Sequence, residues 1–220
     1  MKRLVSGAAL LAISAGVFAT PAAMAEGEFS ANVALTTDYV WRGISQNNEN
    51  PAISGGFDYA NGLFYAGTWA SNVATDGTME LDFYGGIAGE TDSGLAWDVG
   101  VITYLYPDTD DLDFTEVYGG LGYEFAGGFG VGGYVYYDFD NESTYVEGTA
   151  SYGFTDELSV DASLGNYSFE GGGDYTNWSI GGTYSFDVVD VDVRYWDTDV
   201  DGVAPVADER IVLTFSKGFP

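Results

Sequence analysis

Residues Gly94–Tyr106 read GLAWDVGVITYLY, and their parity decides the fold. Leu95, Trp97, Val99, Val101, Thr103 and Leu105 fall on one parity; Ala96, Asp98, Gly100, Ile102, Tyr104 and Tyr106 fall on the other. Successive side chains of an extended chain point to opposite faces, so the stretch predicts a strand with one apolar face and one mixed, polar face. The same split recurs in FGVGGYVYYDF, Phe129–Phe139, and in VVDVDVRYWD, Val188–Asp197. Twelve such segments are legible, near 28–44, 50–60, 63–72, 78–89, 94–106, 113–125, 129–139, 143–154, 157–167, 174–186, 188–197 and 208–219.

The connectors alternate in length. QNNEN, ATDGT, PDTDDL, DNES, EGGGD and DTDVDGVAPVAD take turns with NG, ETDS, AGG, TD and a tight turn near Asp187. A soluble β-sandwich has no reason to sort its loops by parity, whereas outer-membrane barrels put long loops outside and tight turns on the periplasmic side. A soluble barrel, lipocalin-like, would hide the apolar face within. Twelve strands enclose too wide an interior for Gly, Ala and Val to fill. The pattern therefore predicts an all-β, antiparallel, up-and-down transmembrane barrel of about 12 strands, apolar outside and polar inside. Closure satisfies every backbone group without an exposed edge, as lipid requires.

Bulk properties agree. The first 25 residues carry Lys2 and Arg3, an apolar run from Leu4, and the small-x-small site Ala23-Met24-Ala25, the pattern of a cleaved signal peptide. Residues 26–220 then form the expected barrel. The chain has no Cys, so export without disulfides favours a large hydrogen-bonded architecture. It has no His, which removes the commonest general base and metal ligand. With 34 acidic and 6 basic residues the net charge is −28, and removal of Lys2 and Arg3 takes it to −30. That charge repels nucleic acid and attracts cations. Hydrophobic residues at 46% exclude disorder in spite of it.

The stretch TTDYVWRGIS, Thr36–Ser45, then reads as the outer end of the first strand. Tyr39 and Trp41 would join an aromatic girdle at the lipid headgroups, and Asp38 and Arg42 would point into the lumen. DYVWRGISQ, followed by GGFDYANGLFYAGTWASNV and TMELDFYGG, resembles the TorF-type porin family of proteobacterial outer-membrane proteins. The match runs over about 28–90 and continues as pattern to the C-terminus. The resemblance implies a porin-like channel for passive diffusion of small hydrophilic solutes or ions, and it brings no functional residues with it. The alternative is a non-conducting barrel acting as an adhesin or structural element. Phe219, Phe215, Leu213 and Ile211 keep the alternating C-terminal spacing of such barrels, interrupted by Lys217 and followed by Pro220.

Inward parity assembles two charged groups. Arg42, Arg194 and Arg210 form an expected basic wall, and Glu80, Asp82, Glu116, Asp138 and Glu147 an acidic wall across the pore. Such walls bias passage by charge; the competing reading pairs each Arg with a nearby acid such as Asp38 or Asp192. The excess of acids predicts cation preference. Asp197, Asp199, Asp201 and Asp208 occupy positions of a calcium-loop pattern without its helices, a candidate Ca²⁺ site in the last outer loop. No spacing singles out a catalytic pair, so no enzyme activity and no other cofactor is expected. The expected partners are outer-membrane lipids, periplasmic chaperones, the barrel-assembly machinery, and small hydrophilic solutes or cations.

Overall fold

The computed structural model describes residues 27–74, 77–107, 109, 112–202 and 205–220; the expected signal peptide lies outside them. The strands are β1 (Glu28–Thr36), β2 (Val40–Trp41), β3 (Ile44–Ser45), β4 (Ala52–Asn61), β5 (Phe64–Asn72), β6 (Met79–Glu90) and β7 (Leu95–Leu105). They continue with β8 (Phe114–Phe125), β9 (Phe129–Asp138), β10 (Ser143–Gly153), β11 (Leu158–Ser168), β12 (Asp174–Ser185), β13 (Asp190–Thr198) and β14 (Arg210–Phe219). All but β2 and β3 close into one antiparallel barrel of 12 strands, each paired with its sequence neighbours and β1 with β14. The described residues contain no helix.

The seam carries a full ladder. β1 pairs with β14 from Ala31↔Phe219 to Thr36↔Thr214, and the Thr36 and Thr214 hydroxyls meet at 3.0 Å. Both described ends of the ring, Glu28 and Phe219, lie at the rim of the short turns 62–63, 91–94, 126–128, 154–157 and 186–189. The longer connections gather at the opposite rim, as the alternation of connector lengths requires.

Parity settles inside and outside. In β7, Val99 is 54% exposed on the outer surface, whereas Ala96, Ile102 and Tyr104 are buried within. The outer parity stays apolar round the ring, with Phe57 at 68%, Leu164 at 59% and Ile211 at 72% exposure. A continuous apolar belt with a polar interior is the reverse of a water-soluble barrel and the arrangement lipid demands. At the short-turn rim a girdle forms from Tyr-x-Phe pairs at the ends of inward-running strands. Tyr123/Phe125, Tyr152/Phe154 and Tyr184/Phe186 pack with ring centroids 4.9, 4.8 and 4.5 Å apart. Lys217, on the lipid side near this rim, turns its amine to the Asp187 carbonyl at 3.2 Å, so its charge leaves the apolar belt.

The first strand is a correction. It ends at Thr36, not near residue 44, and Tyr39 and Trp41 are not girdle residues. Tyr39 is buried inside the barrel at 7% exposure, and Trp41 packs edge-on against the inward Tyr104 at 6.0 Å. The β1–β4 ladder stops at Thr36↔Ala52, where the next residue of the returning strand is Pro51. Proline has no N–H to donate, so the ladder cannot continue through it. Of the residues between, 38–47 fold into the lumen as a small hairpin of β2 and β3, and 48–51 return over the exposed rim.

Candidate functional site

The inner hairpin is made by its turn. Val40 pairs with Ser45 and Trp41 with Ile44, leaving Arg42 and Gly43 at the tip with φ of 49° and 85°. Two successive positive φ values define a primed hairpin turn, easy for glycine and strained for arginine. Gly43 is doubly required, because a Cβ there would lie 2.5 Å from Thr198 Cγ2 and 2.7 Å from Asn177 Cβ on the β12–β13 wall. The tip is therefore pressed into the wall, where the Tyr175 hydroxyl also donates to the Arg42 carbonyl at 3.1 Å. Behind the tip, Ser45 N donates to the Val206 carbonyl at 2.8 Å and Ala74 N to the Gln46 carbonyl at 3.0 Å. Two outer loops thus clasp the hairpin from above.

Arg42 crosses the lumen from this anchored tip. Its Nη1 and Nη2 donate to Glu116 Oε1 and Oε2 on β8, both at 2.8 Å, and Glu116 is fully buried. The guanidinium also sits among Trp41, Tyr136, Tyr145 and Tyr167, 4.2, 5.0, 4.2 and 4.8 Å from their ring centroids. A fork of donors on a carboxylate with aromatic faces around it is a geometry arginine makes and lysine does not. Burial alone disfavours the charge, but the facing Glu116 carboxylate more than offsets it and holds the guanidinium above its ordinary pKa.

The rest of the hairpin is held in the same way. Asp38 receives Ser45 Oγ at 2.7 Å and Arg210 Nη1 at 2.8 Å. The Tyr39 hydroxyl donates to Glu80 Oε1 at 2.7 Å, and Tyr106 to Glu80 Oε2 at 2.5 Å. Beside Glu80 on the same face of β6, Asp82 is fully buried and neither of its carboxylate oxygens has a hydrogen-bond partner.

These placements redraw the two expected walls. The three arginines do not form one basic wall. Arg42 leaves its strand and pairs across the barrel. Arg194 pairs on the wall with Asp161 at 2.5 Å and Asp192 at 3.1 Å, and Arg210 holds the outer rim through Asp38 and the carbonyls of Pro205 and Asp208. Each guanidinium has found a carboxylate because an unpaired charge in a low-dielectric interior costs several kcal/mol. On the acidic side, Glu80, Asp82 and Glu116 face the hairpin. Asp138 instead caps the turn after β9, accepting from the backbone N–H groups of Asp140 at 2.8 Å and Asn141 at 3.2 Å. Glu147 accepts from Tyr145 at 3.3 Å and lines an internal cavity of about 30 Å³ with Arg42, Tyr104, Tyr136 and Trp196.

Below the hairpin the lumen is a tyrosine–carboxylate layer. Tyr65 and Tyr134 both donate to Asp98, at 2.8 and 3.1 Å, and Tyr84 donates to Asp58. Inward glycines let these rings lie flat: a Cβ on Gly100 would meet Tyr118 Cζ at 2.5 Å. Of the proposed calcium ligands, Asp197 accepts from Tyr195 at 2.9 Å, Asp199 accepts from Thr176 N at 2.7 Å, and Asp201 and Asp208 are exposed. Among the described residues no three carboxylates converge to hold a metal ion.

The sequence reading missed the inner hairpin, although its signals were present. Arg42-Gly43 favours a two-residue turn, and the Asn-rich NNEN before Pro51 includes Asn48 and Glu49 at positive φ. Both mark places where a strand stops.

The closed ring, lipid-facing belt and polar lumen make up the fold seen in outer-membrane porins. Residues 20–219 match the model of a bacterial protein family of unknown function, Gcw_chp, and the chain belongs to that family. The NanC porin is similar in fold, at 12% identity and a TM-score of 0.58 over 87% of this chain and 98% of that one. The KdgM porin, solved with disordered oligogalacturonate, gives 7% identity and a TM-score of 0.64 over the same shares. An outer-membrane channel from Pseudomonas putida F1 gives 10% identity and 0.54, covering 90% of this chain and 97% of that one. No curated protein matches the chain in sequence.

Proposed function

We propose that the protein is an exported outer-membrane channel of the porin kind, delivered by its signal peptide and the barrel-assembly machinery, passing small hydrophilic solutes or ions and preferring cations. The observation that carries the reading is the charge balance of the lumen. Each of the three lumen arginines is already bound to carboxylate, while Asp58, Asp98 and Glu147 are held by uncharged donors, among them Tyr84, Tyr65 and Tyr145, and Asp82 has none. Among the described residues no Lys or Arg stands at ion-pair distance from any of these four. Surplus negative charge in a low-dielectric channel concentrates cations and repels anions. The TorF-type resemblance and the fold shared with porins support the same class. The KdgM porin was solved with a polymer of acidic sugars; a lumen with this surplus suits no such polyanion. The inner hairpin narrows the outer half of the bore, which favours ions over larger solutes. Reversal potentials of the refolded barrel in planar bilayers across a KCl gradient test the proposal. A potential of the cation-selective sign is expected, and an anion-selective one overturns it.

The close packing of the hairpin favours a second reading, a barrel that does not conduct and serves as an adhesin or structural element. Liposome swelling separates the two, since absence of uptake of any small solute selects the second.

A further inference from the structure

Glu147 stands beside open space at the level of the hairpin tip. With Arg42 it lines the cavity of about 30 Å³ whose other walls are the rings of Trp41, Tyr104, Tyr136, Tyr145 and Trp196. That volume takes about two water-sized groups. The cavity is partly open, and an approach to it runs from the short-turn rim. Below Glu147 the inward positions of β10 are Thr149 and Ser151, paired with Gly132 and Gly130 on β9, so small residues leave the bore clear along those strands.

The charges around Glu147 leave it unmatched. The two guanidiniums that act on it are those of Arg42 and Arg194. Arg42 is paired with Glu116, and Arg194 with Asp161 and Asp192, so three carboxylates already answer two arginines. Glu147 adds a fourth negative charge. The Tyr145 hydroxyl donates to it at 3.3 Å, a neutral contact that supports the carboxylate without cancelling its charge.

We propose that this cavity binds the head group of a small alkylammonium ion, with Glu147 as its counter-charge, and that such amines are among the cations the barrel passes. This rests on the cation-preferring reading above and names a substrate class for it. The barrel already seats one nitrogen cation in this way: the Arg42 guanidinium lies among Trp41, Tyr136 and Tyr145, each within 5.0 Å, against the Glu116 carboxylate. The same three rings also wall the cavity, where Glu147 supplies a second carboxylate. Ring faces attract an ammonium group and its N–H bonds need only a few acceptors. A bare metal ion instead exchanges its water shell for a ring of oxygens, which a cavity walled mainly by aromatic carbon does not supply. The carbon next to the nitrogen finds apolar ring surface.

The test uses the refolded full barrel in detergent with methylammonium as the probe. Saturation-transfer NMR should show binding of methylammonium that an equal concentration of K⁺ does not displace. In Glu147→Gln the affinity should fall about tenfold or more, the loss of one charge-assisted hydrogen bond. No transfer in the parent, full displacement by K⁺, or a Glu147→Gln barrel that binds as tightly as the parent overturns the proposal. Should Glu147→Gln lack the heat-modifiable mobility of a folded barrel, Overhauser contacts from the probe's methyl group to the Tyr136 and Trp196 rings of the parent decide: their presence supports the site and their absence overturns it. Binding without conductance of methylammonium or K⁺ in bilayers would sink the channel reading and leave the site; conductance without binding would do the reverse.

Discussion

Two stretches of this chain have the same alternating pattern and opposite fates. Gly94–Tyr106 becomes a wall strand, β7, with Val99 in the outer belt and Tyr104 inside. Thr36–Ser45 alternates too, yet only Thr36 belongs to the barrel ladder, and the remainder turns inward. Alternation states that two faces differ; it does not state that a neighbour is available to pair. β7 has β6 and β8 along its whole length, from Leu95↔Tyr123 to Tyr104↔Phe114 on one side. Beyond Thr36, one neighbour is interrupted by Pro51, and the lumen offers Glu80 and Glu116 as partners instead. The inner hairpin is what a strand pattern becomes when its ladder stops and its polar groups find carboxylates.

Substitutions can break that contrast. The largest effect is expected from Arg42→Ala, which strands the buried Glu116 carboxylate and should cost about 3–5 kcal/mol in urea unfolding of the lipid-refolded barrel. A loss below about 1 kcal/mol would mean the hairpin is not fastened to the wall by charge. Adding Glu116→Gln to the same chain should restore part of the loss, a coupling readable from the double-mutant cycle.

Next comes the wall itself. Val99→Arg puts a charge on the lipid face and should cost about 2–4 kcal/mol near the middle of the belt. Equal stability of parent and variant would break the assignment of outside and inside. Tyr39→Phe leaves Glu80 with Tyr106 as its sole donor and should cost about 1.5–3 kcal/mol by the same unfolding assay. Gly43→Ala combines positive φ with contact against Thr198 and Asn177, and about 1–3 kcal/mol is expected. The smallest effect belongs to Lys217→Ala, which should stay within about 0.5 kcal/mol because it removes one exposed contact to a turn carbonyl.

The wall was legible because membrane barrels repeat one rule at every strand. From β4 onward each strand begins and ends within two residues of the alternating segment expected for it. The girdle was written as plainly, in Tyr123-x-Phe125, Tyr152-x-Phe154 and Tyr184-x-Phe186 beside the short turns, but the reading placed it at Tyr39 and Trp41. The lumen was harder. Parity put Arg42, Arg194 and Glu116 on the inside, but the partner of each depends on which side chains meet across the ring. Arg194 and Asp161 are far apart in sequence yet meet at 2.5 Å because β11 and β13 flank β12.

The sequence by itself determined the closed barrel, its apolar exterior and the acidic balance of its interior, since each follows from local alternation and composition. The tertiary structure alone decided that 38–47 lies within the barrel, that Arg42 serves Glu116, and that Asp82 is left without a partner. Those outcomes depend on distances across a closed ring, where charge pairing and a single proline outweigh a strand's intrinsic pattern.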